Sequence, residues 1–170
     1  PIASLGAGFA RVVMGEPVLV DIVHVHRGYV SDCTRMFSAG RLSDEWMQKL
    51  NDMEEVADFV IDSLGKGVDC STVWDEGSAM VTEMGHASHL MGMPPDQARF
   101  LGHSVGLELD ETPVVASGFD QPLQKGGTMA IEPKVIYSEG AIGVEDTWVR
   151  GADGMECLTM GESFPLLTEW

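Results

Sequence analysis

Two aspartates interrupt a pair of apolar, β-rich segments near the start of the chain. Asp21 lies in the run of residues 18–23, and Asp32 lies in the run of residues 29–37. An Arg-Gly pair at residues 27–28 predicts the turn of a β-hairpin between the two runs. A carboxylate buried in an apolar sheet is costly unless it is paired or bound to a metal ion. The sequence must therefore fold so that both charges are compensated.

The hairpin is expected to place both aspartates on one face. A midpoint between His26 and Arg27 sets Asp21 directly opposite Asp32, where like charges destabilise a sheet. We therefore expect a positive charge between the two carboxylates. His24 and His26 alternate with Asp21, so they are interpreted as structural or solvent-facing residues on the other face.

Helical periodicity follows the hairpin, and strand-like segments follow the helices. Ser43 is a natural N-cap, and apolar residues at three- and four-residue spacing predict an amphipathic helix that ends at Gly65 to Gly67. A second helix is predicted from about Ser71 to Met84. The predicted strands cover residues 100–109, 127–137, 142–149 and 155–159. This order predicts an α+β fold with helices on one face of a largely antiparallel sheet.

Three further polar residues lie within apolar, strand-like segments, namely His103, Glu132 and Glu145. With the two aspartates they form one imidazole and four carboxylates, a ligand set suited to Mn, Co, Fe or Zn. Two divalent cations would balance the four negative charges. Two metal ions that share carboxylates can hold a hydroxide nucleophile and polarise a carbonyl group.

Three further acidic residues and one cysteine are not assigned to the metal site. A single acidic residue is more often solvated or salt-bridged than metal-binding, so Asp110, Glu111 and Asp146 are interpreted as surface acids. Cys33 follows Asp32 directly and therefore points to the other face. It is interpreted as a small buried residue.

Composition narrows the classes of partner. The net charge is −17, with 10 Lys plus Arg against 27 Asp plus Glu. Such a surface repels phosphate backbones and anionic lipid, so neither a nucleic-acid nor a membrane partner is expected. No run approaches the roughly 18 apolar residues that a membrane helix requires. Three widely spaced cysteines without a CxxC pair indicate reduced thiols and a cytoplasmic location.

Four strings of sequence carry a family resemblance. They are LVDIVHVHRGYVSDCTRMF, GHSVGLELDE, LQKGGTMAIEP and GVEDTWVRGADGMECLT, and they lie in this order between Leu19 and Thr159. Together they resemble the pita-bread metallopeptidases, a superfamily that includes methionine aminopeptidase, aminopeptidase P, prolidase and the metal-free creatinase. The resemblance is strongest to the aminopeptidase P and prolidase branch. It implies an α+β pita-bread fold, with a mostly antiparallel curved sheet and helices packed on one face.

The resemblance also implies a role for each candidate residue. Asp21 would bind one metal ion, and His103 and Glu132 would bind the other. Asp32 and Glu145 would bridge both ions. Glu132 and His103 would be the catalytic residues, with Glu132 as general base that later passes its proton to the leaving amine. The cofactors would be two divalent ions (Mn, Co, Fe or Zn), and the substrate a peptide cut at an N-terminal Xaa-Pro bond.

Three features depart from the family pattern. The family usually has a histidine seven residues after the ligand histidine, where this chain has Asp110. An ionised aspartate cannot donate a hydrogen bond as that histidine would. Asp110 lies at a substrate-binding position of the family, and its own role there is left open. The family usually has an arginine two residues before its last glutamate, where this chain has Gly143. A histidine that the family has upstream of the first aspartate has no counterpart before Val20.

These features leave three functions open. The first is a dinuclear metallopeptidase, and the second is a metalloenzyme of the same fold with a non-peptide substrate, such as an amidine hydrolase or a lyase. The third is a non-catalytic binding module that retains the fold. Residues 1–170 are expected to form a single catalytic domain of the C-terminal type. We expect this domain to be an N-terminally truncated fragment of a longer protein, with a homodimer as one way to cover exposed apolar surface.

Overall fold

A long β-hairpin forms the first part of the fold in a computed structural model that describes residues 11–160 and 165–170. Strand β1 (Pro17–His26) pairs antiparallel with strand β2 (Tyr29–Ser38). Arg27 and Gly28 form the turn with φ angles of 53° and 87°. Two successive positive φ angles are typical of the two-residue turns that join hairpin strands. The predicted hairpin is confirmed.

The midpoint of the hairpin lies one residue further along the chain than predicted, which shifts the pairing of the strands by two residues. Both Arg27 and Gly28 belong to the turn, so Asp21 pairs with Thr34, and Asp32 pairs with Val23. The two aspartates are therefore diagonal neighbours on the same face of the hairpin, not directly opposite each other. The outer residues His24 and His26 are exposed, and Cys33 is buried, as the alternation predicted.

Two helices follow the hairpin, close to the predicted bounds. Helix α1 (Asp44–Lys66) begins where the Ser43 side chain accepts a hydrogen bond from the Trp46 backbone N–H at 3.2 Å, and Gly67 closes it with a φ of 83°. Helix α2 (Cys70–Glu83) packs beside α1. The buried face of α1 rests against the strands through Leu50, Met53, Val56, Ala57, Val60 and Leu64.

Eight short strands complete the part of the chain that the structure describes. They are β3 (Gly102–Ser104), β4 (Glu111–Val114), β5 (Thr128–Ile131), β6 (Lys134–Tyr137), β7 (Gly140–Gly143), β8 (Asp146–Arg150), β9 (Met155–Cys157) and β10 (Leu167–Glu169). The described strands form sheets in the orders β1-β2-β10, β4-β3-β5-β8-β9 and β6-β7. All pairings within these sheets are antiparallel except that of β10 with β2. None of the helices in the two described ranges is long and apolar enough to cross a membrane.

Two of the predicted strands are interrupted where the sequence analysis expected continuous ones. The predicted strand 127–137 is divided at Glu132 and Pro133, because proline has no backbone N–H to continue the ladder. The predicted strand 142–149 is divided at Val144 and Glu145. At both places the chain passes between the five-stranded sheet and the β6-β7 hairpin. The two glutamates therefore lie at the junction of these sheets.

Of the other two predicted strands, 155–159 corresponds to β9, whereas the prediction for 100–109 was partly wrong. The predicted strand 100–109 is ordered as a strand only over β3, and the following residues bend before β4. Strands β4 and β10 were not predicted, because each is short and is formed by pairing with distant segments.

A buried ion pair joins the two larger sheets next to Glu145. Asp146 was interpreted as a surface acid, but it is only 6% exposed and its Oδ1 lies 2.8 Å from Arg35 Nη2. Arg35 also donates hydrogen bonds to the carbonyl oxygens of Glu145, at 3.2 Å, and Thr159, at 3.1 Å. The interpretation of Asp146 was therefore wrong. Its charge is compensated by an arginine on a strand that lies more than a hundred residues away in sequence.

Replacing Arg35 with alanine should lower the free energy of unfolding by about 3–5 kcal/mol, because Asp146 would stay buried without its partner. Urea denaturation followed by circular dichroism measures this change. Arg41→Ala is the matched control, since Arg41 forms an exposed pair with Asp44. It should change stability by no more than about 0.5 kcal/mol. Equal losses in the two variants would contradict a stabilising role for the buried pair.

Candidate metal centre

The structure brings the five sequence-predicted ligands into one region between the two larger sheets. Asp32, His103 and Glu145 are buried, and each offers a ligand atom within 4.8 Å of the others. Glu132 joins them through its Oε1, which lies 3.1 Å from His103 Nε2. Asp21 lies at the more open side, with its side chain 42% exposed and its charge close enough to Asp32 to raise the pKa of that carboxyl. The five residues come from five segments, so the tertiary fold alone assembles them.

Neighbouring polar groups hold three of these side chains in place. Thr34 donates a hydrogen bond from its hydroxyl to Glu145 Oε2 at 2.7 Å. Thr147 binds the backbone of Asp32 in both directions, accepting from its N–H at 2.9 Å and donating to its carbonyl at 2.8 Å. His103 Nδ1 lies 3.1 Å from the Ser104 carbonyl oxygen. Donation from Nδ1 leaves Nε2 free to bind a metal ion, the usual arrangement for metal-binding histidines.

Asp32 Oδ1 is a buried atom without a hydrogen-bond partner in the part of the chain that the structure describes. Buried polar atoms in folded proteins are almost always satisfied, so an orphaned carboxylate oxygen calls for a partner from outside the chain. A divalent cation held by oxygen and imidazole ligands would satisfy it. The residues Asp32, His103, Glu132 and Glu145 therefore fit a metal ion.

Burial and mutual repulsion make two of the carboxylates reluctant to ionise. Burial raises the pKa of Asp32 to about 7, and the charges of Asp21 and Glu132 add to this rise. Burial likewise raises the pKa of Glu145 to about 8, assisted by the charges of Glu132 and Asp32 and opposed by Lys134. A cation between these groups would favour their ionised forms.

His103 and Glu132 stabilise each other's charged forms. Burial disfavours the imidazolium of His103, but the hydrogen bond and the charge of Glu132 outweigh it and raise the pKa of His103 to about 9. Burial also disfavours the charge on Glu132, and the contacts with His103 and Lys134 outweigh it, so the pKa of Glu132 lies below its usual value. Glu132 is therefore an ionised carboxylate in the centre of the site.

Lys134 is part of the site and was missed by the sequence analysis. Its Nζ lies 2.6 Å from Glu145 Oε2, 2.9 Å from Glu132 Oε2 and 3.8 Å from Asp21 Oδ2. Burial disfavours the ammonium, but the three carboxylates outweigh it and raise the pKa of Lys134 above its usual value. The sequence contained a signal for this lysine. Lys134 lies two residues after Glu132 and precedes two apolar residues, so strand alternation predicts that it shares the face of that glutamate.

Gly143, the second departure from the family pattern, lies opposite Lys134 in the β6-β7 ladder. A Cβ atom at position 143 would lie 2.6 Å from Lys134 Cα and 2.8 Å from Lys134 Cγ. Real Cβ atoms do not approach neighbours so closely. The Pro133 carbonyl oxygen would lie closer still, so the backbone of residues 133–134 itself requires a glycine at position 143, and the lysine stem packs in the space that this glycine leaves.

Asp110, the first departure, lies next to His103 at the surface. Its Oδ1 is 3.6 Å from His103 Nδ1, and its side chain is 75% exposed. The prediction of a surface acid is confirmed, while the proximity to His103 keeps Asp110 at the edge of the site. Glu111 has a local role, because its Oε1 accepts hydrogen bonds from the N–H groups of Leu107 at 2.7 Å and Glu108 at 2.9 Å.

A cleft of about 430 Å³ opens onto the carboxylates. Glu132, Lys134 and Asp21 form its polar wall, and its apolar wall includes Leu19, Met91 and Phe100. Clefts that bind small ligands are mostly apolar with a few polar groups and have volumes of about 300–1,000 Å³. A small ligand in this cleft would therefore contact the predicted catalytic residue Glu132.

Known proteins share both the sequence pattern and the fold. Residues 7–150 match the metallopeptidase family M24. The chain belongs to this family. It is 31% identical over 157 residues to a Xaa-Pro dipeptidase of Lactobacillus delbrueckii subsp. lactis, an alignment that covers 91% of this chain and 40% of that protein.

Solved structures with pita-bread folds superpose on this member of family M24. The prolidase from Pyrococcus furiosus matches with a TM-score of 0.82 and 23% identity, over 95% of this chain and 46% of that one. The dipeptidase PepE from Mycobacterium ulcerans matches with a TM-score of 0.82 and 24% identity, over 99% of this chain and 44% of that one. The predicted α+β pita-bread fold is confirmed. The chain spans less than half the length of these relatives.

Divalent metal ions should bind this M24 chain more tightly at about pH 8 than at about pH 6. Metal ligands bind in their unprotonated forms, and the pKa values of about 7 for Asp32, about 8 for Glu145 and about 9 for His103 mean that protons must leave first. Affinity therefore falls as the pH falls through this range. Calorimetric titration with Mn(II) in buffers of different ionisation enthalpy measures both the affinity and the protons released. Equal affinity at the two pH values would contradict binding at these carboxylates.

Proposed function

We propose that the chain forms the metal-dependent active site of a peptidase that cleaves an N-terminal Xaa-Pro peptide bond. The observation that carries this proposal is the orphaned, buried Asp32 oxygen, which lies in a group with His103 and Glu145. The similarity to a Xaa-Pro dipeptidase supports the substrate class. The location of Glu132 in both the ligand group and the wall of the cleft supports catalysis at this place.

Each residue has a distinct part in this proposal. Asp32, His103, Glu132 and Glu145 would hold metal, with Asp21 at the open side of the site. Bound divalent metal would supply a Lewis acid that activates water and polarises the substrate carbonyl. Glu132 is ionised and faces the cleft, so it is placed to accept a proton from water and return it to the leaving amine. The apolar wall at Leu19, Met91 and Phe100 suits a proline ring.

Several finer points of the sequence analysis remain predictions within this proposal. They are the two-ion count with a bridging hydroxide, manganese as the native metal, the cytoplasmic location, the homodimer and the single catalytic domain of residues 1–170. The two-ion count balances the four carboxylates with metal alone, whereas Lys134 adds a positive charge beside Glu132 and Glu145.

Glu132→Gln should lower the rate of Xaa-Pro dipeptide hydrolysis by about 10²–10⁴-fold, because the amide cannot accept the proton from water. The assay follows release of proline by the chain loaded with Mn(II), and metal content is measured in the same samples. Glu45→Gln is the control, since Glu45 is exposed on helix α1 and should leave the rate unchanged. Hydrolysis that survives Glu132→Gln or removal of metal by a chelator would contradict the proposal.

The second candidate is a metalloenzyme of the same fold with a non-peptide substrate. It is favoured by Asp110, which places a carboxylate near His103 where peptidases of this type usually have a histidine. A carboxylate there cannot donate a hydrogen bond to a substrate or to a developing oxyanion.

Asp110→His should raise the rate of Xaa-Pro hydrolysis by at least about tenfold if the missing donor limits peptidase chemistry. Asp110→Asn is the matched control, because it removes the negative charge without supplying an imidazole. An equal gain in both variants would assign the effect to charge repulsion. No gain from histidine would show that the missing donor does not limit the reaction, and the non-peptide candidate would then be favoured.

A further inference from the structure

The ammonium of Lys134 lies among the carboxylates that would bind metal. Its side chain is 4% exposed, and it donates hydrogen bonds to Glu132 Oε2 at 2.9 Å and to Glu145 Oε2 at 2.6 Å. Asp21 Oδ2 lies 3.8 Å away. Lys134 is therefore a buried cation that contacts three of the four predicted carboxylate ligands.

The two metal positions that the family resemblance implies are not equally available. An ion bound by Asp21, Asp32 and Glu145 would share both Asp21 and Glu145 with the ammonium of Lys134. Glu145 Oε2 already accepts hydrogen bonds from Thr34 and Lys134. A dication at this position would displace those contacts and lie beside a buried positive charge, and like charges in a buried environment repel strongly.

The other position also shares two carboxylates with Lys134, those of Glu132 and Glu145, but its ligands include the His103 imidazole and form a compact buried group. Asp32, His103 and Glu145 offer ligand atoms within 4.8 Å of one another, and Asp32 Oδ1 is a buried oxygen without a hydrogen-bond partner in the described ranges. Glu132 adds its Oε1, which faces His103, while its Oε2 faces Lys134. One oxygen of Glu132 is thus available to a metal ion, and its other oxygen accepts a hydrogen bond from Lys134.

The backbone opposite Lys134 is adapted to this arrangement. Gly143 is the partner of Lys134 in the β6-β7 ladder, and a Cβ atom there would collide with the lysine stem. Backbone atoms of Pro133 and Lys134 would also collide with that Cβ atom, so a glycine is required at position 143, and the lysine stem packs in the space that it leaves.

We propose that the Lys134 ammonium replaces one of the two divalent ions, so that the chain binds a single metal ion through Asp32, His103, Glu132 and Glu145. The site then contains one exchangeable cation and one cation that is covalently part of the chain. This inference rests on the proposed metal dependence but not on a peptide substrate.

Metal stoichiometry tests the inference. The chain is loaded with Mn(II), excess metal is removed, and bound metal is measured by plasma mass spectrometry; we expect about one ion per chain. Lys134→Met keeps much of the side-chain volume and removes the charge, so it should bind about two ions per chain. Lys66→Met is the matched control, because Lys66 pairs with Asp62 on the exposed surface, and its stoichiometry should equal that of the unmodified chain.

Electron paramagnetic resonance of the unmodified chain gives a readout that does not depend on the variant folding. Isolated Mn(II) ions should give a resolved hyperfine pattern, whereas a close pair of ions gives an exchange-coupled spectrum. A coupled spectrum, or two ions bound by the unmodified chain, would overturn the inference and leave the metal-dependent peptidase intact. Lys134 would then only substitute for the arginine that the family usually has at position 143. A folded chain that retains no metal would overturn both the inference and the proposed function.

Discussion

Repulsion between buried carboxylates is the constraint on which the rest of this structure depends. Asp32, Glu132 and Glu145 are each no more than 7% exposed, and Asp21 lies beside them. Four like charges so close together would disrupt the fold unless other groups compensate for them. Lys134 and His103 supply this compensation from within the chain, and a metal ion would add to it. The stability of the fold and the proposed metal binding therefore depend on the same group of residues.

The two places where the chain passes from one sheet to another allow the carboxylates to converge. Glu132 and Glu145 lie where the chain leaves one sheet and enters another, so their side chains are not confined to the faces of a continuous ladder. Pro133 interrupts the hydrogen-bonding after Glu132, and the buried pair of Arg35 with Asp146 secures the strand that begins next to Glu145. The irregular backbone at these two glutamates is thus fixed by neighbours on both sides.

Local signals predicted the hairpin and both helices, because capping residues and periodicity act over a few positions. The register of the hairpin required knowing that both Arg27 and Gly28 belong to the turn. An error of one residue in the turn midpoint shifts the pairing by two residues, so the aspartates are diagonal neighbours and not opposite each other. The strand breaks at Glu132 and Glu145 depend on pairing with distant segments, which no local pattern reports. The importance of Asp32, His103 and Glu145 could be predicted, since charged residues within apolar segments require compensation wherever they fold, and the structure brings these three together.

Sequence reasoning did not identify the residue that supplies positive charge to the buried carboxylates. A positive charge between the carboxylates was expected, and metal ions were assigned to supply all of it, while Lys134 lay two residues beyond Glu132. An ammonium group and a metal ion support different chemistry. An ammonium donates hydrogen bonds but has no vacant orbital to accept an oxygen lone pair, so it can neutralise carboxylates without activating water as a metal ion does. If Lys134 replaces one metal ion as proposed, the Lewis acidity of the site would be concentrated near Asp32 and His103, while Glu132 contacts both His103 and Lys134.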